Sequence, residues 1–384
     1  MLCREEEAKM KKRVCIIRSN PVMPDSRVEK EAWTLQKAGY YVHILAWDRN
    51  GKHSAQDGNI TVMGESISIT WLGYEAGYGE GLKSLQSYLQ FQIHMHRWLI
   101  KHKNDYDIIH ACDFDTAFFS QTVAKNKVFV FDIFDFLYGD PVSFFQKMIY
   151  KAQIKIINHA DATIICTEER KKQIADAKPN RLTIIHNTPI KTLLDKKSNE
   201  LKIESSTQRI KIAYVGILAT KRLLLEMGSA IAHNKDVELH IAGFGIYDTF
   251  FEQLSKENDN VFYYGRIPYD QTLVLESSCD IMTAIYDPTL ENHRFAAPNK
   301  FYESLMLGKP IIMVKGTGMS DVVLENDIGV LIDYSQDGFE KGIKELVKRK
   351  NEWPEMSDRM IRLYEEKYSW EKMGKRLTNL YAEL

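Results

Sequence analysis

No stretch of this 384-residue chain approaches the roughly 18–20 consecutive apolar residues of a membrane-spanning helix. Cysteine is scarce: Cys3, Cys15, Cys112, Cys166 and Cys279 stand far apart, with no C-x-x-C and no metal-ligand spacing. That excludes a disulfide framework and a zinc ribbon, and leaves small buried hydrophobes in a reducing compartment. An excess of one charge is also missing, since 51 basic side chains face 52 acidic ones for a net charge of -1. A dedicated nucleic-acid binder would carry a basic surplus. Neither G-x-G-x-x-G nor G-x-x-x-x-G-K-[ST] occurs, so neither a dinucleotide fingerprint nor a P-loop is supported. Short-period repeats and low-complexity tracts are absent as well. The opening Met-Leu-Cys-Arg-Glu-Glu-Glu is too charged for a signal peptide, and a cytoplasmic protein is expected.

What is present is a globular composition, 44% apolar and 27% charged, with 19 Tyr and 17 Phe that suit aromatic-walled clefts. The length suits two domains of about 150–200 residues each. Short β-rich runs alternate with helical patterns. In the first half strands are expected at Arg13–Ile17, Tyr41–Leu45, Ile60–Met63, Ile108–His110, Val128–Phe131, Ala162–Cys166 and Leu182–His186. Helices are expected at Arg27–Ala38, Leu82–Lys101, Thr116–Ala124 and Phe144–Ala160. A polar stretch around Lys191–Gln208 reads as a linker. A second series follows, with strands at Lys211–Val215, Val237–Ala242, Val261–Tyr264, Ile281–Ala284, Ile311–Val314 and Gly329–Ile332, then an amphipathic helical tail from Trp353. The expectation is α/β: two Rossmann-like domains with parallel sheets, facing a central ligand cleft. The domain limits read from the chain are 1–190, 209–365 and a final helix, 366–384, crossing back to the first domain.

Four segments carry chemistry. Tyr214-Val-Gly-Ile-Leu-Ala-Thr-Lys-Arg222 leaves a strand, passes Gly216, and enters a helix with Lys221 and Arg222 at its head. Backbone N–H groups and a guanidinium there would neutralise a diphosphate; a solvated basic cap is the plain alternative. His240-Ile-Ala-Gly-Phe-Gly245 ends a strand on Gly243 and Gly245, which either admit a base or ribose close to the backbone or make a tight turn. Arg266 follows the next strand, where the backbone could read a base edge. Finally, Ala296-Ala-Pro-Asn-Lys-Phe-Tyr-Glu303 opens a helix whose first amides face outward, with Glu303 one turn in, placed to accept from a sugar hydroxyl. An ordinary buried helix of such a sheet reads much the same way.

These pieces, in this order, resemble the retaining glycosyltransferases of family 4, with the GT-B architecture. In the first half the resemblance runs through Asp25-Ser-Arg-Val-Glu-Lys-Glu-Ala32, Tyr106-Asp-Ile-Ile-His-Ala-Cys-Asp113, Asp132-Ile-Phe-Asp135 and Ile185-His-Asn-Thr-Pro189; Tyr368-Ser-Trp370 matches the start of the family's last helix. It implies that Arg222 meets the donor diphosphate, that Glu303 binds the ribose hydroxyls, and that amides near Asn299 and Lys300 meet phosphate and sugar. The first glutamate of the family's E-x7-E motif is replaced by Phe295, as in a sub-branch reading P-N-K-x-x-E. Cys112 and Phe134 replace two of the family's cleft histidines, leaving His110 and Asp113 as the polar groups beside the acceptor. Asp113 would orient the acceptor hydroxyl or take its proton, or else cap the helix at Thr116.

The resemblance thus implies sugar transfer from a nucleoside-diphosphate sugar, a UDP-sugar foremost, to a hydroxyl of a glycan or lipid-linked acceptor in cell-surface polysaccharide assembly. A nucleotide-sugar epimerase and a non-catalytic partner subunit of the same fold are the alternatives. No cofactor and no metal are expected, because Arg222, Lys300 and helix N-termini can do the neutralising that paired carboxylates such as Asp113 and Asp115 would otherwise assign to a cation. The loop Gly73–Gly81 would close over the acceptor. Lys147, Lys151 and Lys155 line a helix beside Phe144, Phe145 and Met148, either a solvated stripe or a face for anionic lipid and peripheral membrane contact.

Overall fold

A computed structural model describes residues 12–51, 55–75, 82–191, 203 and 208–384. The chain's start, most of the expected linker, and the loop Gly73–Gly81 from residue 76 onward lie outside the described residues. The chain forms two compact units: Met1–Ile185 with Gly374–Leu384, and His186–Met373.

The first unit is built from β1 (Arg13–Arg18), α1 (Ser26–Lys37), β2 (Tyr41–Asp48), β3 (Ala55–Val62), β4 (Glu65–Gly73), α2 (Leu82–Lys101), β5 (Ile108–Cys112), α3 (Asp113–Ser120), β6 (Val128–Ile133), α4 (Phe144–His159), β7 (Ala162–Ile165) and β8 (Leu182–Ile184). Its sheet has the order β3-β4-β2-β1-β5-β6-β7-β8. The central strands pair in parallel and are apolar on both faces, because helices cover both sides. One expectation is corrected here: the sheet is not wholly parallel. β3 and β4 form an antiparallel hairpin turning at Met63 and Gly64, both at positive φ (48° and 85°), the backbone hand that a two-residue hairpin needs. Local caps set the helix starts. Asp25 accepts from the Val28 amide while Glu29, one residue further on, accepts from the Asp25 amide at 2.8 Å, and Ser143 with Gln146 forms a reciprocal capping box on α4.

The second unit contains β9 (Ile210–Leu218), α5 (Leu224–Ala232), β10 (Val237–Gly245), α6 (Asp248–Glu257), β11 (Val261–Tyr263), α7 (Tyr269–Ser277), β12 (Ile281–Ala284), α8 (Glu291–Arg294), α9 (Asn299–Leu307), β13 (Ile311–Val314), α10 (Ser320–Glu325), β14 (Gly329–Ile332), α11 (Gln336–Lys348), α12 (Trp353–Leu363) and the start of α13 (Trp370–Ala382). Its sheet, β11-β10-β9-β12-β13-β14, is parallel throughout. β9 lies mid-sheet, so the loops after β9, β10 and β12 gather at one edge. Pro298 starts α9 and Gly308 stops it in the left-handed region (φ 64°). Among the described residues no helix is long and apolar enough to cross a membrane.

Candidate functional site

The carboxyl end of β9 delivers Gly216 beside the start of α9. A Cβ on Gly216, whose φ is 145°, would stand 2.7 Å from the Lys300 ammonium, so the missing side chain is the space Lys300 occupies. Lys300 Nζ also lies 5.2 Å from the centre of the Tyr214 ring. Arg222 is flanked by two non-glycine residues in the left-handed region, Lys221 (φ 66°) and Leu223 (φ 53°). Such strain persists only where packing enforces it, and here it sets the direction of the guanidinium, which stacks 4.5 Å over Tyr286. Burial alone would raise the Tyr286 phenol, yet the charges of Lys300 and Arg222 outweigh it and hold the group below its ordinary value. Two cations meeting over phenols form a positive pocket of the kind that takes an anion.

Glu303, almost fully buried on the second turn of α9, accepts from the Tyr269 hydroxyl at 2.9 Å and contributes to the field at Lys300. Gly216, Arg222, Lys300 and Glu303 therefore come together, with Tyr214 and Tyr286 between them. Gly243 pairs in register with Gly216, but its Cβ would strike the Gly216 carbonyl at 1.8 Å, and that of Gly245 the Leu218 carbonyl at 2.4 Å. Both glycines thus serve the close approach of β10 to β9. Arg266 rests on the neighbouring Phe244 ring at 4.6 Å, at the same sheet edge. Lys221 turns to the buried Asp287 carboxylate, 3.1 Å away. The Asn299 side chain accepts from Asn187 at 3.0 Å, leaving its backbone amide at the head of α9.

In the first unit, Asp113 does not cap the helix at Thr116. α3 begins at Asp113 itself, which sits at φ 67°, and Asp113 Oδ1 instead accepts from the amides of Phe134 (2.8 Å) and Asp135 (3.0 Å). Its other oxygen pairs with Arg18, which also holds Asp25 at 2.8 Å. Burial first, then Asp115 and Asp135, push this carboxyl up to about 6 against the opposing pull of Arg18 and the Asp135 amide. About a fifth of the Asp113 side chain (21%) stays open to solvent. Phe134, where the family has histidine, has the guanidinium of Arg18 over its ring at 4.3 Å and that of Arg27 at 4.6 Å.

His110 belongs to a sealed network. It is fully buried, with Nδ1 bonded to the Tyr381 hydroxyl at 2.6 Å and Nε2 facing Asp132 at 3.3 Å. Arg27 binds the same Asp132 at 2.7 Å and the Ile185 carbonyl at 2.6 Å. His110 thus anchors the core under β5 and has no nitrogen left for a substrate. His110, Cys112 and Asp132 do gather closely enough to suggest a metal. The Arg27 cation already occupies Asp132, and burial and the Asp132 charge hold the Cys112 thiol well above its ordinary range, so this donor set does not fit a cation.

Sequence reasoning missed Tyr214, Tyr286 and Tyr269. Each lies within or beside a segment singled out for its glycines or charges, and a tyrosine next to an apolar strand gives no signal separating a pocket wall from core.

Two family models match the chain in tandem: Glycosyltransferase Family 4 over residues 27–188, and Glycosyl transferases group 1 over residues 195–366. The chain belongs to the family 4 glycosyltransferases of the GT-B fold, and sugar transfer is the activity of that class. Solved structures agree on the fold. Sucrose-phosphate synthase from Thermosynechococcus elongatus superimposes with a TM-score of 0.74 at 14% identity, covering 97% of this chain and 99% of that one. The HepE protein of Anabaena in complex with UDP gives 0.67 at 11%, covering 97% and 100%. The catalytic domain of starch synthase IV from Arabidopsis thaliana, bound to ADP and acarbose, gives 0.65 at 14%, covering 97% and 99%. No curated protein sequence matches the chain.

Proposed function

We propose that the second unit binds a nucleoside-diphosphate sugar, a UDP-sugar foremost, and that the enzyme passes its hexosyl group to an acceptor hydroxyl with retention of configuration. The observation that carries this reading is the meeting of Lys300, Arg222 and Gly216 at one sheet edge with Glu303 one turn behind. The cations and the head of α9 hold the diphosphate as negative charge develops on it, while Glu303 accepts from the ribose diol. That order of parts fits the P-N-K-x-x-E sub-branch, and the UDP held by the Anabaena neighbour supports the choice of base. Asp113, on the first unit, orients the acceptor hydroxyl. A thermal-shift series with UDP-, GDP- and ADP-sugars tests the donor, since a ligand of the native state raises its unfolding midpoint. Incubation with radiolabelled donor then separates transfer from isomerisation, and release of label into neither product would end the reading.

The acceptor in this reading is a glycan or lipid-linked saccharide at the cytoplasmic face of a membrane, in cell-surface polysaccharide biosynthesis. Supporting it, α4 and the loop before it expose Val142 (83%), Phe144 (86%), Phe145 (59%) and Met148 (52%). The helix carries Lys147, Lys151 and Lys155 along its exposed side and no acidic residue at all. Aromatic and thioether side chains would enter the interface while lysines meet anionic headgroups. Cosedimentation with phosphatidylglycerol vesicles, lost in F144S/F145S and weakened by salt, is expected; equal recovery with and without vesicles would refute it.

A further inference from the structure

Behind Glu303 lies a second carboxyl that donor binding, as described, leaves unused. Glu276 follows Tyr269 by seven residues on α7, so the two share a helix face, and α7 packs against α9. Glu276 is fully buried, yet neither of its oxygens has a hydrogen-bond partner among the described residues. It lies within hydrogen-bonding reach of Glu303, with Lys300 acting on it from the same helix. Two ionised carboxylates can only accept, so they cannot bond to each other. An unpartnered carboxylate in the interior is also costly. A single proton on Glu276 removes both defects.

We propose that Glu276 is a positioning residue for the donor: as a neutral acid it donates a hydrogen bond to Glu303 and, with the Tyr269 hydroxyl on Glu303 Oε1, clamps that carboxylate for a ribose diol. The proposal rests on the reading of Glu303 as the ribose acceptor. Burial first, then the charge of Glu303, push the Glu276 carboxyl well above its ordinary range, with Lys300 opposing. The groups that face it are Glu303 and Lys300 from α9, Tyr269 from its own helix, and Cys279 just beyond that helix. β9, which packs against α7, carries Lys211, whose charge acts on Cys279. The shared proton leaves one negative charge rather than two beside the diphosphate. Losing that proton at alkaline pH sets two buried anions side by side and weakens the nucleotide's hold.

The test uses the full chain, the variants Glu276→Gln and Glu276→Ala, and calorimetric titration with UDP and 2′,3′-dideoxy-UDP. Infrared difference spectra of wild type against Glu276→Gln report the protonated carboxyl without any ligand. The expected results are a protonated-carboxyl band at neutral pH that Glu276→Gln abolishes, and UDP affinity in that variant within about twofold of wild type, because an amide N–H replaces the acid O–H. Affinity in Glu276→Ala should fall by about tenfold for one lost charge-assisted bond. Above neutral pH wild type should weaken while Glu276→Gln does not. A missing band, or Glu276→Gln as weak as Glu276→Ala, would overturn the proposal. Equal wild-type affinity for the two nucleotides would remove Glu303 from ribose binding, and this role of Glu276 with it, even though the band remained.

Discussion

The Tyr381 hydroxyl and His110 Nδ1 stand 2.6 Å apart in the interior, although 271 residues separate them in the chain. This bond fastens the C-terminal helix to β5 and fixes the ring whose other nitrogen faces Asp132. Tyr381→Phe keeps the ring's packing and removes the hydroxyl, leaving a buried imidazole nitrogen without its partner. A loss of about 1–3 kcal/mol in denaturant unfolding is expected, with turnover of the folded enzyme little changed. A large fall in kcat at unchanged stability would return His110 to the reaction.

If Asp113 orients the acceptor hydroxyl as proposed, it should set an acid limit on activity. A carboxylate must be ionised to accept a proton or orient a hydroxyl, and burial has moved this one up to about 6. Transfer should therefore decline as pH falls through about 6, well above the ordinary carboxylate range. The linkage runs the other way for stability: a raised native pKa favours the protonated fold, so this contribution is present at low pH and is lost as pH rises through the native value. Asp113→Asn keeps a residue suited to positive φ and should lower kcat by about 10²–10⁴-fold while abolishing the acid limb. An unchanged pH profile would exclude the residue from the chemistry.

Arg222 carries the most direct claim about the leaving group. Its guanidinium is aimed by two strained neighbours and shares its pocket with Lys300. Arg222→Ala should reduce turnover by about 10²-fold or more, as loss of one preorganised charge-stabilising donor does. Arg222→Lys should recover only part, since an ammonium lacks the planar fork. Full activity in the alanine variant would refute the role.

The parts of this architecture that were legible in the chain share one physical trait. Ile281–Ala284 and Ile311–Val314 are short apolar strands buried on both faces, and Gly329–Ile332 is a short apolar strand at the sheet edge; all three are bounded by polar or turn residues, so their limits could be read directly. The strand Glu65–Gly73 escaped because its hairpin turns on Met63, a residue whose positive φ is imposed by the fold rather than favoured by its own chemistry. Arg222, Lys300 and Glu303 could be singled out because each charge stands beside a glycine or a helix start, and the fold brings the three together. Their tyrosine walls and Glu276 could not: Tyr214 and Glu276 lie in apolar runs, and only α7 against α9 brings Glu276 to Glu303. His110 misled for a related reason, since an imidazole at a strand end looks the same whether its partner is a substrate or Tyr381, far away in sequence.

Gly308 tests how α9 is held. It ends the helix at φ 64°, and a Cβ there would come 2.1 Å from Ser357 Oγ on α12. Gly308→Ala meets both the left-handed penalty of about 1–2 kcal/mol and a steric conflict with the neighbouring helix. A fall in stability exceeding that penalty is expected in chemical denaturation. Restoration of part of it by Ser357→Gly in the double variant would locate the conflict, and additivity would show that the contact is immaterial.

Gly216 separates binding from folding more cleanly. The atom that a new Cβ would meet first is the Lys300 ammonium at 2.7 Å, the far end of a flexible side chain that can swing aside. The fold should therefore tolerate Gly216→Ala at about 1–3 kcal/mol, the cost of placing a side chain on a backbone conformation that favours glycine. The displaced ammonium, however, leaves the place where the phosphate charge would lie. Affinity for the nucleoside diphosphate should fall by about tenfold, as for one lost charge-assisted bond, and its dependence on salt should become shallower. Lys300→Met should cause a similar loss on its own, and combining it with Gly216→Ala should add little, because both substitutions remove the same contact. Independent, additive losses would mean that Gly216 contributes its own backbone contacts and that Lys300 is not the group it makes room for.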